Sequence, residues 1–115
     1  MAAESLKVES CAGKSTGQLI LRVSGRLDSS TEQRFLELVR PETAPILILD
    51  LSGVQSCDSR GVSALVQLYQ AFQLEGRRLA LAGLTERVRH VLAITRVAPL
   101  FTTFASRTEA EETFI

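Results

Sequence analysis

A chain of 115 residues can bury one hydrophobic core and is too short for two. Its 13 Lys+Arg balance 13 Asp+Glu, with 45% hydrophobic and 23% charged residues. That is the make-up of an ordinary folded domain, and it excludes the global basic field that draws proteins to nucleic acid or to anionic membranes.

Residues 6 to 12 (LKVESCA) and 18 to 24 (QLILRVS) read as two strands. The turn-forming GKSTG between them makes the pair an antiparallel hairpin. Gly25 is expected to break the second strand. GRLD then leads into Ser29, Ser30 and Thr31, all suited to cap a helix, and Ser29 with Glu32 or Ser30 with Gln33 has the spacing of a capping box. The helix, about 31 to 40, turns Phe35, Leu36 and Val39 to one side and stops before Pro41.

Residues 45 to 51 (PILILDL) are apolar up to Asp50, the pattern of a strand buried on both faces. After SCDSRG, the residues Val62, Leu65, Val66, Tyr69 and Phe72 recur at helical spacing, and Gly76 ends that helix. Residues 78 to 82 (RLALA) form the next strand. Thr85 can cap a third helix in which Val88, Val91, Leu92 and Thr95 share a face. Residues 100 to 104 suit a short edge strand, and 107 to 114 a short acidic final helix. This order implies an α/β domain occupying 1 to 115. Its mixed sheet of four to five strands is antiparallel at the N-terminal hairpin and parallel where helices make the crossovers.

Several stretches invite a chemical reading. Gly13-Lys14-Ser15-Thr16 resembles part of a phosphate-binding loop, but the loop needs a glycine where Val8 stands and a helix where a strand follows. A hairpin turn explains it better. Cys57 or Ser59 as a nucleophile needs a base within reach. The one histidine, His90, lies next to Arg87 and Arg89 on what looks like a basic solvated helix face, so Cys57 reads as a small buried hydrophobe. Asp28, Asp50 and Asp58 fall in or just before loops and could meet around a divalent cation, although capping is the commoner use of aspartate before a helix. Neither a catalytic site nor a metal or other cofactor is expected. Aromatic residues make up only 5%, too few for a base-stacking platform, and no nucleic-acid partner is expected. No apolar run approaches the roughly 20 residues of a membrane span. MAAESLKVES lacks the parts of a secretory leader. With two cysteines and no disulfide pattern, a cytoplasmic setting without membrane insertion is expected.

The junction Ser56-Cys57-Asp58-Ser59-Arg60-Gly61 stands apart. Either Asp58 or Ser59 caps the helix that starts there, beside backbone N–H groups without helical partners. A phosphate on Ser59 would add about −1.5 to −2 charge. The positive helix end tolerates such an anion, and Arg60 can pair with it. A surface docked over Ser59 would meet a new anion, with Asp58 making the field more negative still.

The run Ile48-Leu49-Asp50-Leu51-Ser52-Gly53-Val54, followed by Asp58-Ser59-x-Gly61-Val62 and preceded by Gly25-Arg26-Leu27-Asp28, resembles the STAS domain of bacterial anti-sigma factor antagonists. The resemblance covers roughly residues 5 to 112 and implies a STAS-like fold. It further implies that Ser59 is phosphorylated by a serine-protein kinase that doubles as the anti-sigma factor and uses ATP, and that a serine phosphatase reverses the modification. Asp28, Asp58, Arg60 and Gly61 would then lie in the partner-binding surface, with Gly61 allowing close approach. The family usually carries Ser or Thr where this chain has Arg60. A different class is implied by relatives that serve as non-switching accessory subunits of membrane lipid or anion transport complexes.

Overall fold

The computed structural model describes residues 6–114. Five strands and four helices follow one another as β1 (Leu6–Ala12), β2 (Gln18–Leu27), α1 (Glu32–Val39), β3 (Ile46–Cys57), α2 (Ser59–Glu75), β4 (Arg78–Ala82), α3 (Glu86–Ile94), β5 (Thr102–Phe104) and α4 (Arg107–Thr113). They build one mixed sheet in the order β1-β2-β3-β4-β5. The first pair is antiparallel, closed by the GKSTG turn, and the remaining pairs are parallel. The expected architecture is therefore observed.

Side-chain alternation along the strands divides the core in two. Leu21, Val23, Leu47, Leu49, Leu51, Leu79 and Leu81 pack under α1, α2 and α3, which contribute Phe35, Leu65, Phe72, Val88 and Leu92 among others. On the opposite face Ile20, Ile48, Ala80 and Ala82 pack with Ala110 and Phe114 from the last helix and the residue after it. The alanines of β4 leave room for the Phe114 ring, which tilts against Phe104 at 5.9 Å. Residues 47 to 49 of β3 are fully buried because both faces of this central strand are covered.

Four expectations need correction. Gly25 adopts φ 98°, yet the strand runs through it to Leu27. β3 likewise continues past Leu51 to Cys57. The pairing explains both. From Arg22 to Leu27 the second strand advances five residues while β3 advances seven, from Asp50 to Cys57, so β3 absorbs two extra residues as bulges. Asp50 builds the first of these by accepting from the Ser52 N–H at 3.0 Å and the Ser52 hydroxyl at 2.7 Å. Gly53 fits there because a Cβ would come within 2.7 Å of the Ser24 Cβ.

The capping boxes expected at α1 do not form either. Thr31 is the N-cap residue but makes no side-chain cap bond. Its hydroxyl instead donates to the Arg26 carbonyl (2.9 Å) and accepts from the Asp28 N–H (3.0 Å). The Asp28 carbonyl takes the Thr31 and Glu32 N–H groups, so the turn before the helix is organised by Asp28.

The fourth correction is at the last strand. Residues 98 to 100 make a 3-10 turn around Pro99, and β5 begins only at Thr102. Elsewhere Gly76 closes α2 in the left-handed conformation (φ 70°), and the Thr85 hydroxyl accepts from Val88 N–H to cap α3. Among the described residues no helix is long and apolar enough to cross a membrane.

Candidate functional site

The C-terminal ends of β2 and β3 lie side by side, with Leu27 paired to Cys57. The chain turns there into α1 on one side and α2 on the other. In open α/β sheets this carboxyl end of the strands is where binding sites form. It brings together the residues that the resemblance implied for the modification and partner-binding site: Asp28, Asp58, Ser59, Arg60 and Gly61.

Asp58 is the N-cap of α2. Its Oδ1 accepts from the Arg60 and Gly61 N–H groups, both at 3.0 Å. Its Oδ2 accepts from Ser29 N–H in the neighbouring loop at 3.4 Å. One carboxylate thus satisfies orphan donors of the helix and ties the β2–α1 loop to the β3–α2 junction. The choice left open by the sequence is settled in favour of Asp58. Ser59 becomes the first helical residue, is exposed, and contributes its hydroxyl to no cap.

Gly61 is buried at the start of α2. A Cβ at this position would run into the Leu27 carbonyl. The missing side chain therefore admits another part of the same chain, letting α2 start close against the end of β2. Leu27 also accepts from Asp58 N–H at 3.4 Å, so this carbonyl is shared by the whole junction.

Arg60 turns toward α1, where its Nε lies 3.7 Å from Glu32 Oε1. The arginine side chain is 66% exposed, so the pair adds little to stability but sets where the cation rests. Asp28 sits in a denser net. It accepts from the Ser30 hydroxyl at 2.6 Å, Ser30 N–H at 3.0 Å and Arg26 Nε at 2.9 Å. These bonds, the Ser30 hydroxyl foremost, hold its carboxyl below the usual range despite partial burial. Asp28 and Asp58 therefore present two carboxylates on one ridge. Arg26 and Ser30 belong to this net and were not singled out as site residues. The signal was their spacing of two on either side of Asp28, which suits a turn that wraps a carboxylate.

Cys57 is 6% exposed. Burial, reinforced by the Asp58 charge, pushes its thiol up to about 11, and its Sγ faces the Asp58 carbonyl at 3.7 Å. A neutral, buried thiol packs and does not attack. His90 is exposed on α3 next to exposed Arg87 and Arg89. Asp50 serves the β3 bulge. Among the described residues no group of three or more His, Cys, Asp or Glu is placed to hold a metal ion.

The sheet order, the three crossover helices on one face and the Asp58 cap at the β3–α2 junction agree with the STAS fold. The STAS domain model matches residues 11–110, and the chain belongs to the STAS family. Among solved structures it is similar to a candidate anti-sigma factor antagonist of Thermotoga maritima, with 23% identity, 91% of this chain and 92% of that chain covered, and a TM-score of 0.82. It is similar to the Bacillus anti-sigma factor antagonist SpoIIAA in its unphosphorylated form, with 16% identity, 94% and 96% covered, and a TM-score of 0.74. It also resembles a sulfate transporter family protein of Wolinella succinogenes, with 20% identity, 85% and 84% covered, and a TM-score of 0.74.

Proposed function

We propose that this chain is an anti-sigma factor antagonist that binds an anti-sigma factor serine kinase and is released from it by phosphorylation of Ser59. The observation that carries the reading is the division at the start of α2. Asp58 makes the cap, and the neighbouring hydroxyl of Ser59 is exposed and unused by the fold. A kinase can reach that hydroxyl without opening the domain. The likeness to SpoIIAA, which is known in phosphorylated and unphosphorylated forms, supports the same reading.

Transfer of the γ-phosphoryl group of ATP to the Ser59 oxygen would add about −1.5 to −2 charge. The α2 N-terminus offsets part of it within the domain. On the outer surface, Asp28 and Asp58 already present negative charge, so a partner fitted to the ridge loses contact and meets repulsion. A serine phosphatase would restore the binding form. The protein would act in the cytoplasm by binding, with no cofactor and no catalysis of its own.

The test is to incubate the chain with serine kinases from its own genome and ATP, then map phosphate by mass spectrometry. Modification at Ser59, together with weaker kinase binding by Ser59→Asp than by Ser59→Ala, is expected. An unmodified Ser59 with every such kinase overturns the switch and leaves the fold standing. The second reading, a non-switching accessory subunit of a membrane transport complex, is favoured by Arg60 in place of a hydroxyl residue and by the likeness to the Wolinella protein. It predicts co-purification with a permease or its ATPase and no phosphate on Ser59.

A further inference from the structure

Among the described residues β1 has β2 on one side and no strand on the other. Its seven residues therefore present alternate N–H and C=O groups to the surroundings, a template for another strand. The first turn of α4 reaches this strand only at its far end, where Arg107 Nη2 meets the Cys11 Sγ at 3.0 Å. Around Lys7 and Glu9, both exposed, this face of the sheet carries no helix.

Charges on an edge strand ordinarily deter pairing. The arrangement in Lys7-Val8-Glu9 does so for almost every partner, but not for itself. When two copies meet antiparallel about a two-fold axis at Val8, each Lys7 lies opposite the Glu9 of the other copy. Val8 then meets Val8, and Leu6 meets Ser10. Moving the axis to Glu9 sets Glu9 against Glu9, moving it to Lys7 sets Lys7 against Lys7, and a parallel in-register pairing sets like charges side by side. Opposite charges directly across a ladder stabilise it and like charges destabilise it. Within one copy Glu9 also faces Arg22 across β2, so the dimer would surround it with two cations. The existing Lys7–Glu9 contact of 3.5 Å is exposed and holds neither side chain firmly.

We propose that the outer edge of β1 is a self-association surface, on which a second copy of this chain adds antiparallel with Lys7 paired to Glu9 in both directions. This isologous contact lies on β1, apart from the Ser59 ridge, and does not rest on the proposed switch.

Sedimentation equilibrium of the whole chain over a concentration series tests it. A monomer–dimer equilibrium is expected that weakens as salt is raised. Lys7→Glu and Glu9→Lys should each weaken dimerisation by about tenfold or more, because two attractive pairs become repulsive. The double reversal should recover the wild-type constant. Hydrogen exchange on the unaltered chain gives a check independent of variant folding, with β1 amides gaining protection as concentration rises. A chain that stays monomeric at about 1 mM, single reversals without effect, a double variant that does not recover, or β1 protection independent of concentration each overturns the proposal.

Discussion

Replacing Asp58 by alanine removes the acceptor for two helix N–H groups and for the Ser29 N–H of the adjoining loop. Loss of an N-cap costs about 1–2 kcal/mol. The Ser29 bond, longer at 3.4 Å and exposed, adds only a small part. At about 2.1 cal/mol/K of unfolding entropy per residue, a chain of 115 residues changes its Tm by about 4 °C per kcal/mol. Asp58→Ala should therefore lower Tm by about 4–8 °C. Asp58→Asn separates hydrogen bonding from charge, since Asn caps about as well as Asp and loses only the charge–dipole part, about 0.3–1 kcal/mol. About half of the loss should thus be restored by Asn. Circular dichroism melts and urea titrations of the three proteins supply the comparison. Equal stabilities for alanine and wild type would refute the cap, and an Asn variant as weak as Ala would assign the effect to charge.

Three further predictions concern Gly61 and the two cysteines. Gly61→Ala should destabilise by about 1–3 kcal/mol, as overpacking does, although alanine is the better helix former by about 1 kcal/mol; a urea titration showing a gain would contradict the contact with the Leu27 carbonyl. With a thiol-specific reagent, Cys11 should react at once and Cys57 only after denaturation. Because the Cys57 thiol titrates at about 11 in the fold against 9.0 unfolded, the folded state holds its proton longer. That contribution to stability is complete below pH 9.0, falls as pH rises toward 11, and should vanish from the pH profile of Cys57→Ala.

Much of this architecture could be read from local pattern. The hairpin, the doubly buried stretch of β3, the amphipathic α2 with its terminal Gly76, and Thr85 as a cap all depend on neighbours a few residues away. The misread boundaries depend on pairing between strands. Ser52-Gly53 and Gly25 have the composition of turns, yet register between β2 and β3 absorbs them as bulges. Thr31 had competing options, and its hydroxyl went to the Arg26 carbonyl because Asp28 had already organised the turn. At the site, the spacing Asp58-Ser59-x-Gly61 exposed the important positions. The packing of Gly61 against Leu27, 34 positions earlier in the chain, was not legible, because nothing local shows that β2 ends against it. The tie from Ser29 to Asp58 was hidden for the same reason, since it forms only when two loops are brought together, whereas those from Arg26 and Ser30 to Asp28 are local and had their spacing as a signal.

The split between positions 58 and 59 has a practical consequence. Holding the junction and displaying a reactive group fall to different residues, one fixed by three backbone donors and the other left outside the fold. A survey of variants that scores only melting temperature would find position 58 sensitive and pass over position 59 as silent. Substitutions at 59 can therefore accumulate, or be engineered, at little expense to folding, and under the proposed function their effects would be seen only when a second molecule is present in the tube.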